Sequence, residues 1–188
     1  DRAFRGRTSL VSVAFPRSLV SIGDVSFFRC SSLVTINLPA GLTSIGWAAF
    51  GCCSALTAVA FPAGLTSIRC FAFYGCSLAH VALPVSLSSV GEGAFHSCTS
   101  LTRVSFPAGL TAVGRGAFDG CTSLARVIVP ITARTHGIAF PTTTTILCRR
   151  PAEMRWQGAV DLALAYERCR PGLLGWLQRA QIRLGSYG

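Results

Sequence analysis

The sequence has no lysine, one methionine and seven acidic residues, against 17 basic residues in a chain of 188. Charged residues make up 13% and hydrophobic residues 51%, a composition too apolar for an intrinsically disordered chain. No stretch reaches about 18 apolar residues without a charge, so no membrane-spanning segment is predicted. The chain also lacks an initiator methionine and a signal peptide, which indicates a processed chain or a fragment.

What the sequence does contain is a repeat of 22 or 23 residues. Copies begin at residues 10, 33, 56, 78, 101 and 124; the last one loses its spacing, and the chain opens inside an earlier copy. One such unit cannot bury its own apolar face, whereas stacked units share a continuous core. We therefore expect a repeat solenoid over residues 1–140 and a differently composed segment over residues 141–188.

Each repeat starts with the pattern seen at Leu101, Val104, Phe106 and Pro107. The apolar residues at the fourth and sixth positions alternate with outward ones, which predicts a short strand that the proline ends. A Leu-x-x-Ile/Val segment follows, and a glycine after it is typical of a tight change of direction. The copy then closes with a small residue, a phenylalanine, two variable residues and a cysteine.

This pattern resembles the BspA-like leucine-rich repeat, the bacterial surface antigen type. The resemblance covers residues 1–140, although Arg7 stands where the repeat cysteine is expected. It implies a right-handed, curved solenoid with a parallel β-sheet of about six rungs that binds proteins or other macromolecules. It also implies a surface or secreted protein, but buried free thiols suit a reducing interior equally well, so the compartment stays open.

The cysteines do not predict a metal site or a disulfide framework. Five of them recur once per repeat, and no copy has a second matching cysteine. We expect this column to be buried and to act as small apolar side chains with a weak donor. Cys52 and Cys53 are adjacent rather than spaced as zinc ligands would be, so neither a metal nor another cofactor is predicted. The column consists of Cys30, Cys53, Cys76, Cys98 and Cys121.

Catalytic groups are also missing from the pattern. The three histidines and the scattered acids show no spacing typical of an acid–base pair, and no phosphate-binding glycine motif is present. The sequence therefore predicts no enzyme.

The outward positions of the first strand are mostly small or hydroxylated, with one exception. His80, Arg103 and Arg126 occupy the same position in successive repeats, and we name them the basic stripe. We interpret the stripe as a candidate contact site for a protein partner, with Asn37 on the same strands and Trp47 at a variable position as further candidates. The alternative is that the stripe residues are ordinary solvated residues and that Trp47 packs under its loop.

Residues 141–188 read as a last edge strand followed by two helices, over 151–169 and 173–184, that cap the open end of the core. The alternative is a basic docking segment for an acidic protein or an anionic surface. A nucleic-acid partner is not favoured, because no nucleic-acid-binding signature is present. The arginines of this candidate docking tail are Arg149, Arg150, Arg155, Arg168, Arg179 and Arg183.

These observations predict a non-enzymatic protein-recognition scaffold. The alternative is a structural subunit of a larger assembly, docked through the basic helices.

Overall fold

The structure, a computed structural model, describes residues 1–150, which form thirteen short parallel strands and no helix. The predicted helices and their cap lie outside the described residues. In chain order the strands are β1 Ser12–Ala14, β2 Ser21–Ile22, β3 Thr35–Asn37, β4 Ser44–Ile45, β5 Ala58–Ala60, β6 Ser67–Ile68, β7 His80–Ala82, β8 Ser89–Val90, β9 Arg103–Ser105, β10 Ala112–Val113, β11 Arg126–Pro130, β12 Arg134–Thr135 and β13 Thr145–Arg149.

Each repeat, called a rung below, contributes two strands, and equivalent strands of neighbouring rungs pair in parallel. The second strands, from β2 to β12, form one continuous sheet of six strands. The first strands form two sheets, β1-β3-β5 and β7-β9-β11-β13. In register, Val13 lies beside Ile36 and Arg126 beside Thr145, so β13 is the last strand of the described solenoid.

The first strands form two sheets, separated between β5 and β7, because the third repeat is one residue shorter than its neighbours. One residue separates Cys76 from Leu78, whereas two separate the equivalent Cys53 and Leu56 of the previous rung. A hydrogen bond of 3.2 Å from Ala79 N to Thr57 O remains, but the ladder does not continue beyond it. The first strands therefore do not build the single sheet of about six rungs that we expected; the second strands build it instead.

The core is organised around a stack of seven phenylalanine rings, one per rung. Neighbouring rings have centroids 5.1 to 5.4 Å apart and planes within 12° of parallel. Phe61, which directly follows β5, meets the rings of Phe73 and Phe95 edge-on. Two rungs later, Phe106 meets the rings of Phe118 and Phe140 in the same way. Each aromatic pair adds about 0.5–1.5 kcal/mol beyond simple burial. The stacked residues are Phe4, Phe27, Phe50, Phe73, Phe95, Phe118 and Phe140.

The segments that carry these rings form a third column, which we name the turn edge (residues 1–6, 24–29, 47–52, 70–75, 92–97, 115–120 and 138–140). Alternate amides of each segment donate to the next rung, as Phe27 N does to Ala49 O at 2.7 Å. The residues two before and two after each of the first six rings are left-handed, including Val25 at φ 59° and Ala48 at φ 48°. A left-handed conformation costs a non-glycine residue about 1–2 kcal/mol. The hydrogen bonds between turn-edge segments and the stacking of the rings offset that cost.

The glycine after the second strand lies close to the backbone of the neighbouring rung. A Cβ on Gly114 would lie 2.6 Å from Glu92 N, and one on Gly91 would lie 2.6 Å from the carbonyl carbon of Arg69. Neither glycine has a positive φ. A left-handed backbone is therefore not the reason for glycine at this position, which Arg69 fills in the third rung. The close backbone of the neighbouring rung accounts for glycine at Gly91 and Gly114.

Candidate functional site

The candidate site lies on the outward side of the first strands, which we name the strand face. Its residues are exposed, except for the half-buried Ala79 and Ile128. The face is shallow and mostly small or hydroxylated, so charge is its main distinguishing feature. It consists of Val11, Ser12, Ala14, Val34, Thr35, Asn37, Thr57, Ala58, Ala60, Ala79, His80, Ala82, Thr102, Arg103, Ser105, Ala125, Arg126 and Ile128.

The basic stripe lies on three successive rungs of this face. His80 pairs in register with Arg103, and Arg126 begins the next strand, β11. Strand spacing of about 4.8 Å places the outer two positions about 10 Å apart. The structure thus brings together the three residues that the repeat pattern aligned.

The acidic residues of the described chain are confined to the turn edge. Among residues 1–150, the acids are Asp1, Asp24, Glu92 and Asp119, and all four belong to the turn edge. Two of these acids form the ion pairs of the described residues: Arg69 Nη1 is 3.1 Å from Asp24 Oδ1, and His96 Nδ1 is 3.7 Å from Asp119 Oδ2. In this part of the chain Arg103 and Arg126 have no acidic partner, so the positive field of the stripe is uncompensated.

His80 has a polar neighbour on the next rung. Thr102 Oγ1 donates to Ala79 O at 3.1 Å and lies 3.3 Å from His80 Nδ1. Either group can donate in the contact between Oγ1 and Nδ1, according to the tautomer of the ring.

The remaining candidates lie apart from the stripe. Asn37 is exposed at the end of β3, on the far side of the break between β5 and β7. Trp47 is 47% exposed and belongs to the turn edge, where its amide donates to Asp24 Oδ1 at 2.7 Å. Of the docking-tail arginines, Arg149 is half-buried in β13 and Arg150 is exposed. The other four, Arg155, Arg168, Arg179 and Arg183, lie outside the described residues.

The repeat and the fold agree with known proteins. A family model described as the BspA type leucine rich repeat region matches six copies over residues 1–69 and 47–145. The chain belongs to the BspA-type leucine-rich-repeat family. Among curated protein sequences, none matches it significantly.

Three solved leucine-rich-repeat structures are similar to this BspA-type chain. A leucine-rich repeat protein from Bacteroides ovatus has a TM-score of 0.75 and 29% identity over 79% of this chain and 40% of its own. A leucine rich cell surface protein from Faecalibacterium prausnitzii has a TM-score of 0.66 and 32% identity over 75% and 39%. The T. pallidum leucine rich repeat protein has a TM-score of 0.62 and 30% identity over 72% of each chain. The chain thus spans about two fifths of the first two proteins.

The repeat cysteines of this BspA-type solenoid are structural, as the sequence indicated. All five are buried, and each thiol donates to the carbonyl of the phenylalanine in the preceding rung at 3.1–3.2 Å. Burial raises the pKa of Cys53 to about 12 and that of Cys76 well above its ordinary value. A hydrogen bond with the Cys121 thiol, followed by burial, raises the pKa of Cys98. Neutral thiols are poor nucleophiles and poor metal ligands.

Residues 1–150 contain neither a group of three metal-ligating side chains nor a helix long and apolar enough to cross a membrane.

Sequence reasoning missed a row of contacts on the turn edge. Tyr74 stacks on His96 with ring centroids 5.5 Å apart, and His96 in turn contacts Asp119. The guanidinium groups of Arg5 and Arg29 lie over the ring of Phe28. The signal was present, because Arg5, Phe28, Tyr74, His96 and Asp119 occupy one repeat position, one residue after the stacked ring.

Proposed function

We propose that the chain is a non-enzymatic protein-recognition module that contacts its partner through the strand face, at the basic stripe. One observation carries this proposal: three basic residues occupy the same position on successive rungs of a face without any acid. An acidic partner can supply the complementary negative charge. An acidic protein surface can present carboxylates to a row of basic residues whose outer members are about 10 Å apart.

The expected contribution of each charge is modest. Exposed ion pairs contribute about 0.2–1 kcal/mol each, and salt screens them over about 8–10 Å at physiological ionic strength. Charges arranged on one face mainly steer the encounter and fix its orientation. We therefore expect association with the partner to slow as salt is raised.

The contacts of the histidines support binding rather than catalysis. His80 contacts a threonine hydroxyl that also bonds to a backbone carbonyl, and no carboxylate among residues 1–150 contacts its ring. His96 has Asp119 on one side, but no hydroxyl or thiol of the described residues bonds to it. A nucleophile activated by a base therefore does not form at either histidine.

A location at the cell surface is supported by the leucine rich cell surface protein from F. prausnitzii, which shares 32% identity with this chain. We include that location in the proposal. It places the strand face where it can meet proteins outside the cell.

The test compares two triple variants with the same change of charge. In one, His80, Arg103 and Arg126 become alanine; in the control, Arg115, Arg134 and His136, which are exposed away from the strand face, become alanine. Partners are captured from source extract by the full chain and by each variant, and are identified by mass spectrometry. We expect the control to retain the partner and the stripe variant to lose at least about tenfold in affinity, or about 1.4 kcal/mol.

Two other outcomes would contradict this proposal. Unchanged binding by the stripe variant, with an unchanged melting temperature, excludes the stripe as the contact site. A third variant, with Arg155, Arg168, Arg179 and Arg183 changed to glutamine, tests the docking tail. If only this variant loses the partner, the chain is instead a subunit held through its C-terminal segment.

A further inference from the structure

The strand face changes its chemistry along the axis of the solenoid. The basic stripe occupies the fourth, fifth and sixth rungs. On the first and second rungs the exposed residues include two valines, Val11 at 58% and Val34 at 41% exposure. They are direct neighbours, because Val34 N donates to Val11 O at 3.1 Å. One end of the face is therefore apolar and the other end is cationic.

The apolar end is a local feature and not a property of the repeat. In later rungs the position of Val11 and Val34 is held by Thr57, Ala79, Thr102 and Ala125, which are smaller or polar. The first three rungs also have no charge on the strand face. Water is in contact with both valines in the described chain, so covering them is favourable for any ligand that reaches this end.

We propose that the strand face binds one protein segment that runs along the solenoid axis, with apolar side chains over Val11 and Val34 and carboxylates over Arg103 and Arg126. This inference rests on the proposed function and names the chemistry of its partner. Five rung intervals separate Val11 from Arg126, or about 24 Å. That distance corresponds to about 16 residues of helix or about seven residues of extended chain.

A protein segment fits this surface better than an anionic polymer does. A polysaccharide or nucleic acid repeats its negative charge along its whole length and has no apolar end. It would therefore place charges over the uncharged rungs and leave the valines in water. A polypeptide can combine a short apolar stretch with a short acidic one.

The probe is a displayed library of random peptides of about 20 residues, selected on the immobilised full chain. We expect the enriched peptides to contain an apolar block beside an acidic block. Their affinity should fall about tenfold for the variant Val11→Ser with Val34→Ser, and at least about tenfold for Arg103→Ala with Arg126→Ala. The control is Val20→Ser with Val85→Ser, because these valines are 57% and 83% exposed but lie outside the strand face. It should leave binding unchanged.

The outcomes separate this inference from the proposed function. The enriched peptides could instead be acidic, have no apolar block and bind the Val11 and Val34 variant with unchanged affinity. That result would keep the stripe as the site but refute a ligand with both an apolar and an acidic block. Peptides insensitive to the arginine changes would refute both, and so would a selection that yields no common pattern. Thermal melting of each variant shows whether the fold is retained.

Discussion

The thiol of Cys53 donates a hydrogen bond of 3.1 Å to the carbonyl oxygen of Phe27, 26 positions earlier in the chain. The same bond joins Cys30 to Phe4, and it recurs at the three later repeat cysteines. Each bond connects the end of one rung to the stacked ring of the rung before it. The column therefore fills the core and at the same time satisfies carbonyl groups that the turn edge would otherwise leave with fewer partners.

The first prediction is that thiol reactivity divides into two classes. The five repeat cysteines are buried, whereas Cys52 and Cys70 are half-buried and Cys148 is exposed. Alkylation of the native chain at neutral pH should label these last three and leave the repeat cysteines unlabelled until the protein unfolds. Mass spectrometry of digested samples, with and without denaturant, measures this. Rapid labelling of Cys76 or Cys98 in the native chain would contradict the buried column.

The second prediction concerns alkaline pH. Burial raises the pKa of Cys53 from its ordinary value of 9.0 to about 12. Between these two values the unfolded thiol loses its proton while the folded one keeps it, so the free energy of unfolding should fall as pH rises. Below pH 9 the contribution is complete. Because the chain has no lysine, no lysine side chain titrates in this window.

Denaturant titrations at several pH values from about 8 to 11 measure this slope. The variant Cys53→Ala should show a shallower decline than the parent chain. Equal slopes in the two proteins would mean that the thiol does not contribute to the pH dependence.

The third prediction is that the ring stack stabilises the fold most at its centre. Phe73 is fully buried and stacks on Phe50 and Phe95, while Phe4 at the end of the described stack is 43% exposed. Phe73→Ala should lower the free energy of unfolding by about 3–5 kcal/mol. The matched change Phe4→Ala should cost clearly less, since it leaves no enclosed cavity. Similar losses for both variants in chemical denaturation would argue against this gradient.

The fourth prediction compares two glycines of one rung. A Cβ on Gly114 would lie 2.6 Å from Glu92 N, whereas one on Gly109 meets its nearest atom, Val85 O, at 4.0 Å. Gly114→Ala should destabilise the protein by about 1–3 kcal/mol through this backbone clash. Gly109→Ala should stay within about 0.5 kcal/mol of the parent chain. An unchanged melting temperature for Gly114→Ala would show that neighbouring rungs can move apart there at little cost in free energy.

The repeat made much of the fold predictable. A fixed period identifies equivalent residues, so the inward strand positions, the buried cysteines and the family followed directly from the sequence, and the structure and the family match confirm them. The register of His80 with Arg103 followed in the same way. The role of the basic stripe in contacting a partner stays a prediction.

Other features depend on contacts between rungs that the repeat pattern does not show. Val25 and Ala48 are left-handed although neither is glycine, because the hydrogen bonds of the turn edge impose that conformation. The close approach at Gly114 comes from the backbone of the neighbouring rung. Asn37 lies on the strand face beyond the break between β5 and β7, and Trp47 lies on the turn edge. Their role in contacting a partner stays a prediction.

The shortened third rung shows that the solenoid is tied together redundantly. At that rung the ladder between β5 and β7 fails, yet Ser67 still pairs with Ser89 in the second sheet. The rings of Phe73 and Phe95 also still stack at 5.4 Å. Three parallel columns join each pair of rungs, so a missing residue breaks one of them while the other two keep the rungs aligned. A chain built in this way can gain or lose single residues, and so vary the surface of one column, without losing its fold.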